Sequence, residues 1–239
     1  MEKLEFETYN GQPIDQLSVF HGGNLYKDEV NDISKKINYT PKVIFDIGAN
    51  VGGFSIALAE RYPNSHIYSF EPVPETYNIL KSNIEFYQHN MDKCNNIQPI
   101  NFGLSDITKN NVPIGMPALP KGRKHNYGRA TLNYSGESID NINLIEFTKL
   151  CDENQLIPDL VKIDVEGCEY MILSNAKTSG ILSKIKTIYI EINNHPATKE
   201  SAQKSKNLLL KYFDIVGDSG MNHENGEPLN YIFNNKGIK

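Results

Sequence analysis

The sequence contains no tryptophan and few cysteines: Cys94, Cys151 and Cys168. Three cysteines without C-x-x-C spacing indicate neither a disulfide framework nor a zinc site. Apolar runs are also short. None approaches the roughly 20 residues that a membrane span requires, and the N-terminal segment contains no apolar run of signal-peptide length. These absences predict a cytoplasmic protein whose 239 residues bury a core of their own.

Basic side chains are in deficit, with 24 lysines and arginines against 29 aspartates and glutamates and a net charge of −5. Nucleic acid attracts basic surfaces, so we expect no nucleic-acid partner. Basic and aromatic residues nevertheless cluster at Lys121, Arg123, Lys124, His125, Tyr127 and Arg129. This cluster fits either a ligand bearing phosphate or carboxylate or a solvated loop.

From residue 42 onward, short apolar runs alternate with helical periodicity. Strands are predicted at 42–47, 66–70, 97–102, 160–164, 187–192, 212–216 and 229–233, and helices at 53–61, 77–87, 142–154, 168–177 and 198–212. This alternation predicts an α/β fold with a seven-stranded, mostly parallel sheet and helices on both faces. No clear helix joins the last two strands, so we expect them to form an antiparallel closing hairpin.

Two segments depart from this rhythm. Residues 1–40 have weak periodicity, and we interpret them as an N-terminal cap with short helices in front of a domain spanning 41–239. Residues 106–140 are rich in proline and glycine, which predicts a substrate-side insertion at about 108–135. We expect this insertion to be a mobile flap.

The first strand continues into the turn D-I-G-A-N-V-G-G at residues 46–53. Glycines in such a turn let the backbone approach a ligand near a helix N-terminus. A pyrophosphate-binding turn would read G-x-G-x-x-G. Here Asp46 would repel pyrophosphate but tolerate a cationic ligand. A strand-turn-helix without a ligand is the alternative.

The second strand ends in F-E-P, which places Glu71 25 residues after Asp46. That offset is similar to the roughly 20 residues that separate a glycine turn from a ribose-binding acid in a βαβ unit. A carboxylate there can accept two hydrogen bonds from a ribose diol. The alternative is a solvated carboxylate at a strand end.

The fourth and fifth predicted strands also end in polar residues. Asp164 follows the fourth strand in K-I-D-V-E-G, and Glu191 and His195 follow the fifth in E-I-N-N-H-P. Because ligands of open α/β sheets bind at the carboxyl ends of strands, we expect these side chains to share one edge. Carboxylates there could also bind Mg²⁺, but we assign no metal site.

The runs F-D-I-G-A-N-V-G, F-E-P, L-S-D and L-V-K-I-D-V-E-G, in this order, resemble the FkbM-type methyltransferase family over roughly residues 42–195. The resemblance implies a Rossmann-like class I methyltransferase fold, S-adenosylmethionine as methyl donor, and O-methylation of a sugar hydroxyl or a natural product. It further implies that Asp46, Gly48, Asn50 and Gly52 cradle the methionine part. By the same analogy Glu71 holds the ribose, and Ser105 and Asp106 lie beside the adenine.

We also count Asp164 among the cofactor-binding residues. The catalytic candidates are His195, Asp164 and Glu191, and we favour His195 as proton acceptor because an imidazole has an unperturbed pKa of about 6.5. A purely positional mechanism is an alternative. Other readings are a nicotinamide oxidoreductase, a nucleic-acid or other small-molecule methyltransferase, and a non-catalytic S-adenosylmethionine-binding protein. The oligomeric state is left open.

Overall fold

The computed structural model describes residues 6–7, 13–14, 18–115, 130–133, 138–192, 198–218 and 230–238. None of the helices in these ranges has both the length and the hydropathy that a membrane crossing needs.

Strands and helices alternate along most of the described chain. The strands are β1 (Phe6–Glu7), β2 (Pro13–Ile14), β3 (Val43–Ile47), β4 (His66–Phe70), β5 (Ile97–Ile100), β6 (Gly103–Ser105), β7 (Lys109–Gly115), β8 (Ser138–Glu146), β9 (Leu160–Ile163), β10 (Thr187–Glu191), β11 (Phe213–Asp218) and β12 (Asn230–Asn235). The helices are α1 (Ser18–Lys36), α2 (Gly53–Arg61), α3 (Pro74–Met91), α4 (Phe147–Asn154), α5 (Glu169–Thr178) and α6 (Lys199–Tyr212), with a 3-10 turn at Leu182–Lys184.

The main sheet has seven strands in the order β11-β12-β10-β9-β3-β4-β5. Strands β10, β9, β3, β4 and β5 are parallel, whereas β12 is antiparallel to both β10 and β11. The predicted mostly parallel sheet with an antiparallel closing hairpin is therefore confirmed. The carboxyl ends of the parallel strands meet at one edge, where the candidate site lies.

Helices cover both faces of this sheet, as the sequence predicted. Successive side chains of a strand point to opposite faces, so Ile44 packs with α1, α2 and α3 while Phe45 packs with α4, α5 and α6. Both side chains are fully buried, and each such burial contributes roughly 1.5–3 kcal/mol. Asp46, two residues after Ile44, therefore points to the α1–α3 face, as does Lys162, two residues after Leu160.

A second, smaller sheet flanks the carboxyl edge in the order β6-β8-β7. Strand β6 begins three residues after β5 ends, so the small sheet stays close to the carboxyl ends of β4 and β5. Its apolar side chains Ile114, Ile142 and Leu144 pack with Val73 at the start of α3. Residues 130–133 join its edge through a bridge between Thr131 and Gly115.

The main differences between the predicted and observed elements concern three segments. The helix predicted over 142–154 begins only at Phe147, because residues up to Glu146 pair with β6 and β7 in β8. The third strand, predicted over 97–102, ends at Ile100. Where short helices were predicted near the N-terminus, α1 is a single helix of 19 residues.

The predicted insertion at 108–135 is described only in part. Residues 109–115 form β7, and residues 130–133 are described. The basic cluster at 121–129 lies outside the described residues, as does the remainder of the expected flap.

Candidate active site

The turn after β3 requires backbone conformations that favour glycine. Gly48 has φ +78° and Gly52 has φ +94°, and Asn50 also adopts a positive φ of +50°. A Cβ at Gly48 would collide with the backbone carbonyl oxygen of Asp164. The turn therefore lies directly against the end of β9.

The next two glycines are explained by packing of helices. A Cβ at Gly52 would lie 2.7 Å from Leu80 of α3, and one at Gly53 would lie 2.5 Å from the ring of Tyr26 in α1. Both approaches are closer than real Cβ atoms tolerate. Gly52 and Gly53 thus let α1 and α3 pack against the start of α2.

Glu71 is anchored by the turn that it faces. Its Oε2 accepts a hydrogen bond from the Asn50 amide at 3.0 Å, and its Oε1 accepts one from the Val73 amide at 2.9 Å. The side chain is 6% exposed. Burial raises the pKa of Glu71 to about 7, although these two amides oppose the shift.

Asp46 is held from behind the turn by other protein groups. It is fully buried, and its Oδ1 lies 3.1 Å from the ammonium of Lys162. Its Oδ2 accepts a hydrogen bond of 2.5 Å from Ser55, whose hydroxyl lies 2.7 Å from that of Ser69. This network joins β3, β9, β4 and α2 beneath the turn.

The loop after β9 is fixed by residues 130–133. Glu166 and Gly167 have φ values of +51° and +98°. Thr131 donates a hydrogen bond of 2.8 Å to the Glu166 carbonyl, and Asn133 donates one of 3.3 Å to the Gly167 carbonyl. Part of the predicted insertion therefore contacts the loop that follows Asp164.

These elements enclose a cleft of about 710 Å³, counting the solvent in its mouth. Its polar side includes Gly48, Asn50, Glu71, Asp164 and Glu166. Its apolar side includes Val73, Leu104, Ile114, Leu132, Ile142 and Leu144. A largely apolar cleft with a few convergent polar groups is typical of small-molecule sites.

The structure brings some of the predicted site residues together and leaves others apart. Gly48, Asn50, Glu71 and Asp164 line the cleft. Asp46 and Gly52 lie behind it. Gly103 and Leu104 line the cleft, and Ser105 follows them in the chain. Ser105 is buried and donates a hydrogen bond of 3.2 Å to Asp106, whose side chain is exposed. Ser105 and Asp106 are not among the described lining residues, and His195 lies outside the described residues.

The catalytic candidate Glu191 is half-buried at the end of β10. Strand β10 pairs with β9 so that Ile190 lies opposite Ile163, which makes Glu191 and Asp164 neighbours at the carboxyl edge. The Asp164 carboxylate, together with burial, raises the pKa of Glu191 to about 9. The raised pKa favours the protonated form of Glu191, which can donate a hydrogen bond.

Further residues of this edge escaped the sequence analysis. Tyr26 and Glu29 reach it from α1, and Lys162 and Tyr189 from the sheet. Burial raises the pKa of Tyr26 to about 12, with Lys162 opposing and the Asp164 and Glu29 carboxylates adding to the shift. The detectable signal was a lysine inside the otherwise apolar strand L-V-K-I, whereas nothing local marked α1.

The buried carboxyls predict how stability depends on pH. Burial raises the pKa of Glu71 and Glu169 to about 7, and Asp164 with burial raises that of Glu191 to about 9. Between the ordinary carboxyl pKa of about 4.3 and these values, the folded state keeps protons that the unfolded state releases. The free energy of unfolding should therefore fall as pH rises from about 5 to about 9.

Urea unfolding at pH 5, 7 and 9 measures this effect. Glu191→Gln should flatten the decrease between pH 7 and pH 9, since it removes the carboxyl whose pKa lies highest. A free energy of unfolding that is constant or rises over this range would contradict the assignment of buried, protonated carboxyls.

Comparison with known proteins matches this chain to methyltransferases. The family model described as Methyltransferase FkbM domain matches residues 46–219. Methyltransferase sdnD of Sordaria araneosa is 27% identical over 176 aligned positions, covering 62% of this chain and 66% of that protein. The AMB antimetabolite synthetase AmbE of Pseudomonas aeruginosa is 23% identical over 247 aligned positions, covering 87% of this chain and 11% of that protein. The chain thus spans less than two thirds of the length of these curated relatives.

A solved structure gives the same fold. The candidate O-methyltransferase from Klebsiella pneumoniae has a TM-score of 0.51 and 10% sequence identity, covering 92% of this chain and 87% of that one. At this identity the likeness concerns the fold alone.

Proposed function

This chain belongs to the methyltransferase FkbM domain family and takes S-adenosylmethionine as its cofactor, and we propose that it methylates a hydroxyl of a sugar, glycan or natural-product acceptor. The observation that carries the proposal is the single cleft lined by Gly48, Glu71 and Asp164. The glycine turn, the buried acid after β4 and the acid after β9 converge there. The name of the AmbE relative, an antimetabolite synthetase, adds support for natural-product acceptors.

The residues of the cleft fit the cofactor. Gly48 and Asn50 line the cleft, so we assign the methionine part to this turn. Glu71 is buried and lines the cleft, which suits hydrogen bonds from a ribose diol. The apolar side around Leu104, Ile142 and Leu144 suits an adenine ring. We keep Asn50 and Asp164 as cofactor contacts, with Asp46 and Gly52 acting from behind the turn and Ser105 and Asp106 beside the adenine.

Catalysis of methyl transfer depends mainly on positioning the acceptor oxygen relative to the methyl group. S-adenosylmethionine supplies a methyl group on a positively charged sulfur, and the protein must hold the acceptor oxygen in line with it at about 3–3.5 Å. A general base that accepts the hydroxyl proton adds roughly 10²–10⁴-fold. Because Asp164 and burial raise its pKa, Glu191 fits a hydrogen-bond donor to the acceptor better than this base. His195 and Asp164 therefore stay as the proposed proton acceptors, with His195 favoured.

We assign the acceptor to the carboxyl edge beside the cleft, where Tyr26, Glu29 and Glu191 lie, and these groups favour uncharged, hydroxyl-bearing molecules. Burial raises the pKa of Tyr26 to about 12, and Asp164 with burial raises the pKa of Glu191, so both side chains favour their protonated forms. They offer donors, and the half-buried carboxyl of Glu29 offers an acceptor. Such groups match a hydroxyl-rich acceptor, whereas carboxylates at the edge would repel a phosphate.

Calorimetry tests the cofactor half of this proposal. S-adenosylmethionine should bind with a dissociation constant in the micromolar range, as is common for enzyme ligands, and NADH should not bind. Binding of NADH in place of S-adenosylmethionine would overturn the proposal. For the acceptor half, incubation with a glycan extract or a set of hydroxylated natural products should form S-adenosylhomocysteine. Turnover only with amines or nucleic acid would contradict O-methylation.

A further inference from the structure

Lys162 is a buried cation in a strand that is otherwise apolar. It is 6% exposed between the fully buried Val161 and Ile163. Removing an ammonium from water costs several kcal/mol unless its charge and its donors are compensated. A lysine at this position therefore needs partners, and those partners indicate what it holds in place.

The partners of Lys162 belong to the glycine turn and to the two acids beside it. Its ammonium donates a hydrogen bond of 2.6 Å to the Gly48 carbonyl. It lies 3.1 Å from Asp46 Oδ1 and 3.7 Å from Asp164 Oδ2. Burial lowers the pKa of Lys162, but the Asp46 and Asp164 carboxylates outweigh it and raise that pKa above its ordinary value. Lys162 is thus a permanent cation between the turn and the end of β9.

Lys162 is itself held rigidly. Asp46, its closest carboxylate, is fixed by Ser55 at 2.5 Å, and the ring of Phe54 lies 5.7 Å from the ammonium. Two residues of α2, Ser55 through Asp46 and Phe54 through its ring, therefore support the position of the ammonium. The ammonium is a fixed point against which Gly48 and Asp164 are located.

We propose that Lys162 is a positioning residue that sets the geometry of the methionine end of the cofactor site, by fixing the Gly48 carbonyl and the Asp164 carboxylate relative to each other. This inference rests on the proposed location of the cofactor in the cleft. Lys162 lies behind the turn and acts through Gly48 and Asp164. The nucleoside end has an anchor outside this turn, because Glu71 also accepts a hydrogen bond from the Val73 amide. Loss of Lys162 should therefore affect one end of the ligand and spare the other.

The test compares two ligands that differ at the methionine end. S-adenosylhomocysteine carries the amino acid, and 5′-methylthioadenosine has the same thioether-linked nucleoside without it. Lys162→Met leaves Asp46 buried without its cation, so the double variant Asp46→Asn/Lys162→Met is used, because it removes both charges of this ion pair. Calorimetry on the full chain should give an S-adenosylhomocysteine affinity at least about ten-fold weaker than that of the wild type. The affinity for 5′-methylthioadenosine should change by less than about two-fold.

A second ion pair provides a matched control. Lys186 lies 2.8 Å from Asp159 at the opposite edge of the sheet, and Asp159→Asn/Lys186→Met should leave the affinities for both ligands unchanged. If the Asp46→Asn/Lys162→Met variant loses affinity equally for both ligands, the role of Lys162 is merely structural and this inference is overturned. Unchanged affinities for both ligands would also overturn it. In either case the proposed cofactor site would still stand. If the wild type binds neither ligand, the proposed cofactor site fails and this inference fails with it.

Discussion

Replacing Glu71 by alanine is expected to weaken S-adenosylmethionine binding by about ten-fold or more while the protein stays folded. A hydrogen bond to a charged group contributes roughly 1.5–3 kcal/mol, and about 1.4 kcal/mol corresponds to ten-fold in affinity. Glu71 lines the cleft at a strand end and is held there by two backbone amides. Its truncation removes the proposed ribose contact and also loosens the turn at Asn50. Calorimetry with the purified variant measures the loss.

Asp159 offers a matched control for this truncation. Its carboxylate also accepts two backbone amide hydrogen bonds, from Lys42 at 2.7 Å and Val43 at 3.1 Å, but at the opposite edge of the sheet. Asp159→Ala should lower stability without changing the affinity for S-adenosylmethionine. If Glu71→Ala folds and retains the wild-type dissociation constant, the ribose site must lie elsewhere.

Replacing His195 by alanine is expected to lower kcat by about 100-fold or more with little change in S-adenosylmethionine affinity. The physical reason is the loss of the general base, since an imidazole can accept a proton near neutral pH. The rate of the wild type should also fall below a pH of about 6.5 as the ring takes up a proton. His195 lies four residues beyond Glu191, whose raised pKa of about 9 makes that carboxyl a poor proton acceptor at neutral pH. Steady-state kinetics with an identified acceptor measures both effects.

Asp164→Asn is the comparison that discriminates between the two proposed bases. Asparagine cannot accept the proton, yet it preserves the size of the side chain that lines the cleft. If His195→Ala keeps most of the activity and Asp164→Asn loses it with cofactor affinity intact, Asp164 is the base. Loss of both kcat and cofactor affinity in Asp164→Asn would instead indicate that its contribution is to binding the cofactor.

Part of the candidate site was predictable because its chemistry is local in sequence. Glycines at positions 48 and 52 predicted a turn with positive φ, and both adopt one. The position of Glu71 at the end of the second strand placed it at the carboxyl edge. Asp46 shows the limit of such reasoning. Its pattern suggested a group facing a cationic ligand, whereas the buried ammonium of Lys162 lies 3.1 Å away, and that pairing joins strands 116 residues apart in sequence.

The sequence by itself determined the order and type of most elements of this protein. Apolar runs of strand length, helical periodicity and the glycine turn depend on neighbouring residues, so they predicted the main sheet and its closing hairpin. Only the tertiary structure determined that residues 142–146 form a strand. Their apolar spacing is also compatible with a helix, and the hydrogen-bond partners in β6 and β7 favour the strand. The tertiary structure alone also brought Tyr26 and Glu29 of α1 to the carboxyl edge beside Lys162 and Asp164. Contacts between distant segments leave no periodic trace in the chain, and here they determine which side chains line the cleft and which support it from behind.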